Sequence, residues 1–296
     1  MNLRFGYDIG GTNIAAGLLN ENNQLIAKES VRFPRNCGND AVIKACTDLY
    51  RTIVEKNGIS DDDVLGVGVA VPGSIDAENG IVIDAHNLGF HHTPLQNMLS
   101  REIGKPVSLI NDADAATLAE HKTGSLFGTR TAMLITIGTG IGGGLIMNGE
   151  LFRGGRGNGT EPGHMVLCNG GRQCTCGIKG CAETYCSASR LVKDGAAFEC
   201  ASAKDLIEKA RNGESAAVKV FESYVDDLGS YLASIVNLLD PERIAIGGGV
   251  CGAGSFLLDP LRVNVAEKCF FETCPEIVIA SAGNDAGIIG ACLIVS

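Results

Sequence analysis

Residues 4–33 read RFGYDIGGTNIAAGLLNENNQLIAKESVRF, and their pattern sets the expected architecture. An apolar run, a Gly-Gly-Thr turn, a second apolar run, an Asn-rich turn and a third run predict three successive strands. Residues 131–154, TAMLITIGTGIGGGLIMNGELFRG, repeat this order, and Asn148-Gly149 predicts a hairpin turn. The repeat indicates an ancient duplication, in which two glycine-turn units each begin a domain and face each other across a cleft.

The composition narrows the classes of function. The 296 residues include 24 Lys+Arg against 34 Asp+Glu, a formal net charge of -10 that disfavours a broad nucleic-acid-binding surface. No stretch approaches the roughly 18 consecutive apolar residues of a membrane helix. The first residues, MNLRFGYDIGG, lack the features of a secretory signal, so we expect a cytoplasmic protein.

A glycine pattern in the second repeat resembles a dinucleotide-binding motif. Gly138, Gly140 and Gly143 satisfy G-x-G-x-x-G after a predicted strand, but that motif requires a helix to follow at once. The segment that follows is apolar, rich in glycine and closed by a hairpin turn, so it predicts a strand. The pattern then indicates a turn whose backbone N–H groups can approach phosphates.

Five of the 12 cysteines cluster within residues 168–186. His164, Cys174, Cys176 and Cys181 form a one-His, three-Cys set, which is typical of structural zinc. Disulfides and a redox pair are the alternatives, disfavoured by the reducing compartment and by the absence of C-x-x-C beside a βαβ pattern. Cys168 is an alternative ligand, and Cys186 is assigned to packing. The other seven are interpreted as small core residues: Cys37, Cys46, Cys200, Cys251, Cys269, Cys274 and Cys292.

The remaining segments give further predictions. Strands are predicted at 64–76, 105–112 and 243–250, a loop at 80–90, and a helix at 113–122 with Asn111 or Asp112 as its cap. Helical periodicity dominates from Ser187 to about Leu239. The final small-residue segment, NDAGIIGACLIVS, predicts a helix that packs back on the first domain.

Taken together, the motifs resemble those of the ROK family of bacterial sugar kinases, in the actin/hexokinase/Hsp70 superfamily. The matching segments are Asp8-Ile-Gly-Gly-Thr12, Val71-Pro-Gly73, Asn87-Leu88, Asn111-Asp112-Ala113, Gly138-Thr-Gly-Ile-Gly-Gly-Gly144, Glu161-Pro-Gly-His164, Cys174 to Glu183, and Gly247-Gly-Gly249. The resemblance implies an α/β fold of two ribonuclease-H-like (actin-like ATPase) domains flanking a cleft, with a zinc-binding loop. We predict a small domain at 1–112, joined by a C-terminal helix at 285–296, and a large domain at 113–284 with the zinc loop at 164–181.

The resemblance also implies catalytic and nucleotide-binding roles. Asp112 becomes the base that accepts the proton of the sugar 6-hydroxyl, with a helix cap as its alternative role and Asp114 as the rival carboxylate. Asp8 is expected near Mg²⁺ and the phosphates of ATP. The expected nucleotide contacts are Gly10, Gly11, Thr12 and Asn13, then Gly138, Thr139 and Gly140, and beside the adenosine Gly247, Gly248 and Gly249. The family often has Lys where this chain has Asn13.

The sugar is expected to contact Asn87, Asn111, Asp112, Glu161, His164 and Glu183. His164 then has two roles, with zinc on one ring nitrogen and a sugar hydroxyl on the other. The implied cofactors are ATP, Mg²⁺ and structural Zn²⁺. A homodimer is also implied, without a nucleic-acid or membrane partner.

The identity of the sugar is less constrained. Glucose is the first expectation, while N-acetylglucosamine, N-acetylmannosamine, allose and fructose remain open. Pro162 and Thr160 depart from the usual family sequence between two sugar ligands, and Pro162 stiffens that loop. A non-catalytic sugar sensor is the alternative of another class. A DNA-binding repressor is disfavoured because Asp8 lies too near the first residue for a preceding DNA-binding domain.

Overall fold

The chain forms two compact units in the computed structural model, which describes residues 2–34, 38–157, 159–196 and 199–295. The first unit comprises Met1–Thr123, Arg153–Gly159 and Ala282–Ser296, and the second comprises Gly124–Phe152 and Thr160–Ser281. Cys37, predicted to be a core residue, and Ser296, the last residue of the predicted C-terminal helix, lie outside the described residues.

The described secondary structure alternates strands and helices. In chain order the strands are β1 (Leu3–Ile9), β2 (Asn13–Leu19), β3 (Leu25–Arg32), β4 (Val64–Val71), β5 (Ser74–Asp76), β6 (Ile81–Ala85), β7 (Phe90–Thr93), β8 (Val107–Asn111), β9 (Ala132–Ile137), β10 (Ile141–Met147), β11 (Glu150–Leu151), β12 (Arg243–Gly247) and β13 (Glu276–Ile279). The helices are α1 (Asn39–Lys56), α2 (Leu95–Ile103), α3 (Asp112–Thr123), α4 (Glu183–Cys186), α5 (Ala188–Gly195), α6 (Ala203–Arg211), α7 (Ser215–Leu239), α8 (Ser255–Lys268) and α9 (Ala286–Leu293).

Each unit contains a five-stranded sheet, and the two sheets follow the same plan. The first has the order β3-β2-β1-β4-β8 and the second β11-β10-β9-β12-β13. In both, the first two pairings are antiparallel and the last two are parallel. Asn148 and Gly149 have φ values of 57° and 82°, as a two-residue hairpin turn with positive φ at both positions requires. The shared plan agrees with the predicted duplication.

The predicted course of the chain after Gly138 is confirmed. Strand β10 begins at Ile141 and pairs antiparallel with β9, so a strand follows the glycine turn where the dinucleotide motif would need a helix. The three predicted strands of residues 4–33 are β1, β2 and β3.

The predicted loop at 80–90 is wrong. Residues Ile81–Ala85 form β6, and Phe90 begins β7, within a three-stranded sheet of order β5-β6-β7. The buried residues of each strand, Val82 and Ala85 in β6 and Phe90 and Thr93 in β7, lie three positions apart, so neither strand shows the apolar alternation that predicts a strand. Helices α1, α2 and α8 and strand β13 fall in segments without a sequence prediction.

Helix α9 packs on the first sheet, as predicted for the small-residue C-terminal segment. A Cβ atom at Gly68 would lie 1.7 Å from the carbonyl oxygen of Ala291, and one at Gly6 would lie 2.5 Å from that of Ile288. Glycines in the strands therefore allow the helix backbone to approach the sheet closely.

The division between the units differs from the predicted domain boundaries. Helix α3 lies in the first unit, although the sequence placed residues 113–122 in the large domain, and residues 153–159 also belong to the first unit. The physical reason is the contact between α3 and α9, where a Cβ atom at Gly290 would lie 1.9 Å from the carbonyl oxygen of Ala115. The two helices thus pack backbone to backbone within one unit.

Each unit has its own hydrophobic core. Among the cysteines predicted to pack in a core, Cys46, Cys200 and Cys292 are buried, while Cys251 and Cys269 are partly buried. Cys274 is exposed, contrary to the prediction, because it lies in the loop between α8 and β13. Cys186 is buried, in agreement with its assignment to packing. None of the described helices is both long enough and apolar enough to span a membrane.

Candidate active site and metal site

The first glycine turn ends β1 beside a carboxylate. The backbone N–H of Gly10 donates to the carbonyl oxygen of Asn13 at 2.9 Å, which closes the turn. Burial, and secondarily the charge of Asp112, raises the pKa of Asp8 to about 6. A Cβ atom at Gly287, in the first turn of α9, would lie 2.4 Å from Oδ2 of Asp8. Asp8 is therefore held between a strand end and a helix that approaches it without a side chain.

Asp112 begins α3 directly after β8. One oxygen, Oδ1, accepts from the backbone N–H of Ala113 at 2.9 Å. Burial raises the pKa of Asp112, and this hydrogen bond partly offsets the effect. Because the charge of Asp112 also raises the pKa of Asp8, the two carboxylates interact. The first unit thus holds two coupled carboxylates beside a glycine turn.

Asn111 acts as the cap of α3. Its Oδ1 accepts from the backbone N–H of Ala113 at 2.9 Å and of Asp114 at 3.3 Å, and its Nδ2 donates to the carbonyl oxygen of Gly73 at 3.1 Å. The amide nitrogen has two hydrogens, so one remains for a ligand. Asn111 and Asp112 thus both accept from the N–H of Ala113, and Asn111 alone also accepts from that of Asp114.

Asn87 lies against the first glycine turn. A Cβ atom at Gly11 would lie 3.1 Å from Cβ of Asn87, so the glycine makes room for this side chain. The structure therefore brings together Asp8, Gly10, Gly11, Asn87, Asn111 and Asp112 within the first unit.

The second glycine turn lies between β9 and β10, and a carboxylate supports it. The N–H of Gly138 donates to the carbonyl oxygen of Gly140 at 2.9 Å. Oε2 of Glu183 accepts from the N–H of Ile141 at 3.0 Å, and a Cβ atom at Gly140 would lie 2.2 Å from this oxygen. Gly138 and Thr139 remain exposed. Glu183 thus fixes a turn that keeps its outer surface open.

The third glycine turn follows β12 and lies beside the second. Gly248 has φ of 93°, and a Cβ atom there would lie 2.1 Å from the carbonyl oxygen of Ile137. Only glycine fits this position without displacing the end of β9. Gly248 and Gly249 are exposed, while Gly247 is buried at the end of β12.

The predicted zinc ligands converge in the second unit. One ligand atom from each of His164, Cys174, Cys176 and Cys181 lies within 4.8 Å of the others. The Sγ atoms of Cys176 and Cys181 are 3.6 Å apart, and Sγ of Cys174 is 3.9 Å from Nδ1 of His164. A disulfide needs about 2.05 Å between sulfurs, whereas tetrahedral ligands of zinc at about 2.3 Å lie roughly 3.5–4 Å apart. The donor set and its distances fit zinc.

The loop between the ligands is shaped by backbone hydrogen bonds. The N–H of Cys174 donates to the carbonyl oxygen of Ile178 at 2.9 Å, and that of Gly177 donates to Cys174 at 3.1 Å. A hydrogen bond from the N–H of Ile178 is the main cause that lowers the pKa of Cys176, which favours the thiolate that metals bind. Cys168 is exposed and lies outside the four-residue group, so the alternative ligand is not needed.

Glu183 also lies between the predicted zinc ligands and the second glycine turn. Its Oε1 lies 3.8 Å from Sγ of Cys174, while its Oε2 accepts from Ile141. His164 ends a 3-10 turn at Pro162–His164, and the His164 N–H donates to the carbonyl oxygen of Glu161 at 3.1 Å. A Cβ atom at Gly163 would lie 2.3 Å from the carbonyl oxygen of Ile141. Glu161, His164 and Glu183 are thus all anchored near the start of β10.

The sequence model of the ROK family matches residues 4–296. This chain belongs to the ROK family. It has the ROK sugar kinase fold, of the actin-like ATPase superfamily.

Several ROK proteins are similar over nearly the whole chain. A glucokinase of Thermotoga maritima is 36% identical over an alignment of 310 positions, gaps included, that covers 98% of this chain and 96% of that protein. An N-acetylmannosamine kinase of Haemophilus influenzae is 32% identical over 289 residues, covering 96% and 92%. A crystal structure of a ROK family glucokinase from Streptomyces griseus in complex with glucose and AMPPNP has a TM-score of 0.83 and 31% identity, covering 99% of both chains.

Two residues of this ROK chain have roles that the sequence did not reveal. Gly287 lies against Asp8, although the two are far apart in the chain, and Glu183 supports the second glycine turn. The small residues of the C-terminal segment were a signal for close packing, but nothing local identified Asp8 as the neighbour. Glu183 was predicted only as a sugar ligand.

Proposed function

We propose that this chain is an ATP-dependent kinase of the hexokinase type that phosphorylates glucose at its 6-hydroxyl. Its glucokinase relatives and the glucokinase structure in complex with glucose and AMPPNP support the reaction class. The observation that carries the proposal is the pair of interacting carboxylates, Asp8 and Asp112, beside the first glycine turn. Phosphoryl transfer needs a base for the attacking hydroxyl and a group that places the phosphates.

Asp112 is proposed as the base. As the sugar oxygen forms its bond to the γ-phosphorus, Asp112 accepts the hydroxyl proton, the bond to the β-phosphate oxygen breaks, and ADP leaves. A raised pKa favours this role because proton transfer is most effective when the pKa of the base lies closer to the working pH. Asn111 positions Asp112 by fixing the start of α3 and keeps one amide hydrogen for a sugar hydroxyl.

The nucleotide is proposed to bind at the glycine turns. Gly10, Gly11, Thr12 and Asn13 in the first unit, and Gly138, Thr139 and Gly140 in the second, approach the phosphates, while Gly247, Gly248 and Gly249 lie beside the adenosine. When bound, Mg²⁺ would neutralise charge on the phosphates. Asp8 is a suitable ligand for it, because Asp8 and Asp112 are close enough that the negative charge of one disfavours ionisation of the other. A cation there relieves that repulsion.

The sugar is proposed to contact Asn87, Asn111 and Asp112 of the first unit together with Glu161, His164 and Glu183 of the second. Zinc held by His164, Cys174, Cys176 and Cys181 fixes the loop that carries His164. Oε1 of Glu183 lies 3.8 Å from Sγ of Cys174, and its Oε2 accepts from the N–H of Ile141, so this carboxylate lies between the cluster and the turn. The zinc is structural in this proposal and takes no part in phosphoryl transfer.

N-acetylmannosamine is the second candidate substrate. A relative that is 32% identical over 96% of the chain is an N-acetylmannosamine kinase. N-acetylglucosamine, allose and fructose stay in the test panel, as does a sugar sensor without turnover. The homodimer and the cytoplasmic location stay predictions.

The proposal is tested by incubating the purified protein with ATP and Mg²⁺ over a panel of hexoses and N-acetylhexosamines. Mass spectrometry then detects a phosphate added to the sugar, and partial hydrolysis or NMR locates it. We expect glucose 6-phosphate as the main product. Preference for N-acetylmannosamine would replace the substrate and keep the reaction, whereas glucose binding without any turnover would support a sensor.

A further inference from the structure

The first glycine turn contains no cationic side chain. Gly10, Gly11, Thr12 and Asn13 form the turn and its exit, and two carboxylates, Asp8 and Asp112, lie near it. A triphosphate that approaches this turn adds further negative charge. The negative charges of the two carboxylates and of a triphosphate repel one another in a partly buried site, so a nearby cation is electrostatically favoured.

Strand register brings Arg32 to this turn. Asn13 and Arg32 are direct partners in the antiparallel pair of β2 and β3, so their side chains lie on the same face of the sheet. The N–H of Phe33 donates to the carbonyl oxygen of Thr12 at 3.1 Å. The backbone at Arg32 is therefore adjacent to the turn itself.

The same face of the sheet carries Asp8. Asp8 pairs with Ala15 across β1 and β2, and Ala15 lies two residues after Asn13, so all three share one face. An ion pair checks this assignment, since Lys28, which lies on the face of Arg32, contacts Asp285 immediately before α9 at 2.9 Å. Gly287 of α9 in turn approaches Asp8. Arg32 thus projects from the face of the sheet on which Asp8 lies.

The charge of Arg32 is available to a ligand. Its side chain is exposed, and the ion pairs found among the described residues use its neighbours Lys28 and Glu29 but not Arg32. A guanidinium presents a planar array of donors that matches phosphate oxygens, and its long stem reaches beyond its own strand.

We propose that Arg32 binds a phosphate of the nucleotide at the first glycine turn and supplies the positive charge that Asn13 does not. This inference rests on the proposed function, because it takes ATP as the ligand of that turn. It assigns a nucleotide-contacting role to a strand residue outside every glycine turn. Because positions 13 and 32 are direct cross-strand partners, a cationic side chain at either position could reach the same phosphate.

The test compares nucleotide binding by calorimetry in the full chain, with Mg²⁺ present, for ATP and for adenosine. For Arg32→Ala we expect ATP affinity to fall about tenfold while adenosine affinity is unchanged, as loss of one charge-assisted phosphate contact predicts. The double variant Asn13→Lys with Arg32→Ala should recover most of the ATP affinity. Arg51→Ala, which removes an exposed arginine of α1, is the matched control and should bind both ligands like the wild type.

Unchanged ATP affinity in Arg32→Ala would overturn the inference, as would an equal loss for ATP and adenosine, which indicates a structural effect. Circular dichroism and thermal unfolding of each variant check that the fold is retained. A wild-type protein that binds no ATP would instead overturn the proposed function. The two failures are therefore distinguishable, because one is seen in the variant and the other in the wild type.

Discussion

The two glycine turns occupy equivalent places in two sheets of the same plan, yet their neighbours differ. In the first sheet the residue before the closing Ile9–Ile14 pair is Asp8, and in the second the residue before the Ile137–Ile141 pair is Thr136. The interacting carboxylates of Asp8 and Asp112 lie near the first turn, whereas at the second turn Glu183 accepts a hydrogen bond from the N–H of Ile141. The same sheet plan thus carries two interacting carboxylates in the first unit and a turn hydrogen-bonded to Glu183 in the second.

This difference suggests that the two units have different functions. The first unit contains the groups that can move a proton and hold a cation. The second contains a glycine turn, the Glu183 carboxylate and the predicted zinc ligands. Glu183 contacts both the turn and Cys174, an arrangement that suits the positioning of ligands. The experiments below test this difference, from the largest expected effect on activity or binding to the smallest, followed by an effect on stability.

Asp112→Asn should separate chemistry from binding. Because the amide cannot accept the sugar proton, we expect kcat to fall by about 10³ while glucose affinity changes less than about threefold. Steady-state kinetics and calorimetry measure the two quantities. Asp62→Asn, at an exposed position, is the control and should retain full turnover. Equal losses in turnover and glucose binding would show that Asp112 mainly holds the sugar.

Loss of the metal should affect the second unit selectively. In Cys181→Ser, or after chelation of the wild type, we expect glucose affinity to fall roughly 10- to 100-fold, because His164 and Glu183 lose their support. ATP affinity should remain within about threefold. Zinc content by mass spectrometry and calorimetry with both ligands measure the effect.

Cys168→Ser is the matched control for this experiment, since that cysteine lies in the same loop but outside the cluster. It should retain zinc and glucose affinity. A zinc-free protein with unchanged glucose affinity would show that the cluster does not position the sugar ligands.

Gly287→Ala tests the placement of Asp8. The added Cβ atom would lie 2.4 Å from Oδ2 of Asp8, so the carboxylate must shift. We expect kcat to fall roughly 10-fold or more, while thermal stability is kept, because Ala favours a helix by about 1 kcal/mol over Gly. Gly252→Ala, where the added atom meets open space, should be neutral. Full activity in Gly287→Ala would indicate that the position of Asp8 is not critical.

The last prediction concerns the free energy of unfolding and its pH dependence without Mg²⁺, and not activity. Burial raises the pKa of Asp8 from 3.8 to about 6, so the folded protein binds more protons than the unfolded chain between these values. Stability from this group is therefore present at low pH and is lost as pH rises through about 6. At pH 7 Asp8→Asn should be more stable than the wild type by up to about 3 kcal/mol, with the difference vanishing near pH 4.

Denaturant unfolding of both proteins across pH 4–7 measures this difference. Mg²⁺ should reduce it, because a bound cation stabilises the ionised wild-type carboxylate. A difference that is independent of pH would show that Asp8 is not the titrating group.

Local patterns predicted much of the candidate site. The glycine turns after β1 and β9 were recognisable because apolar runs flank them, and the zinc set because its ligand types and spacing are specific. The strands at residues 81–85 and 90–93 were missed because each is short and buries only two side chains, which do not alternate with exposed ones. Short strands gain their stability from pairing, which a single strand's sequence does not display.

The sequence by itself determined the two repeated strand and turn patterns, the kinds of ligand available and the place of each catalytic candidate at the end of a strand. Only the tertiary structure decided that α9 approaches Asp8 through Gly287, that Glu183 supports the second turn, and that Arg32 lies across from Asn13. The physical reason is range. Turns and metal loops are specified by neighbouring residues, whereas these contacts join residues distant in the chain and depend on strand register and on close backbone packing.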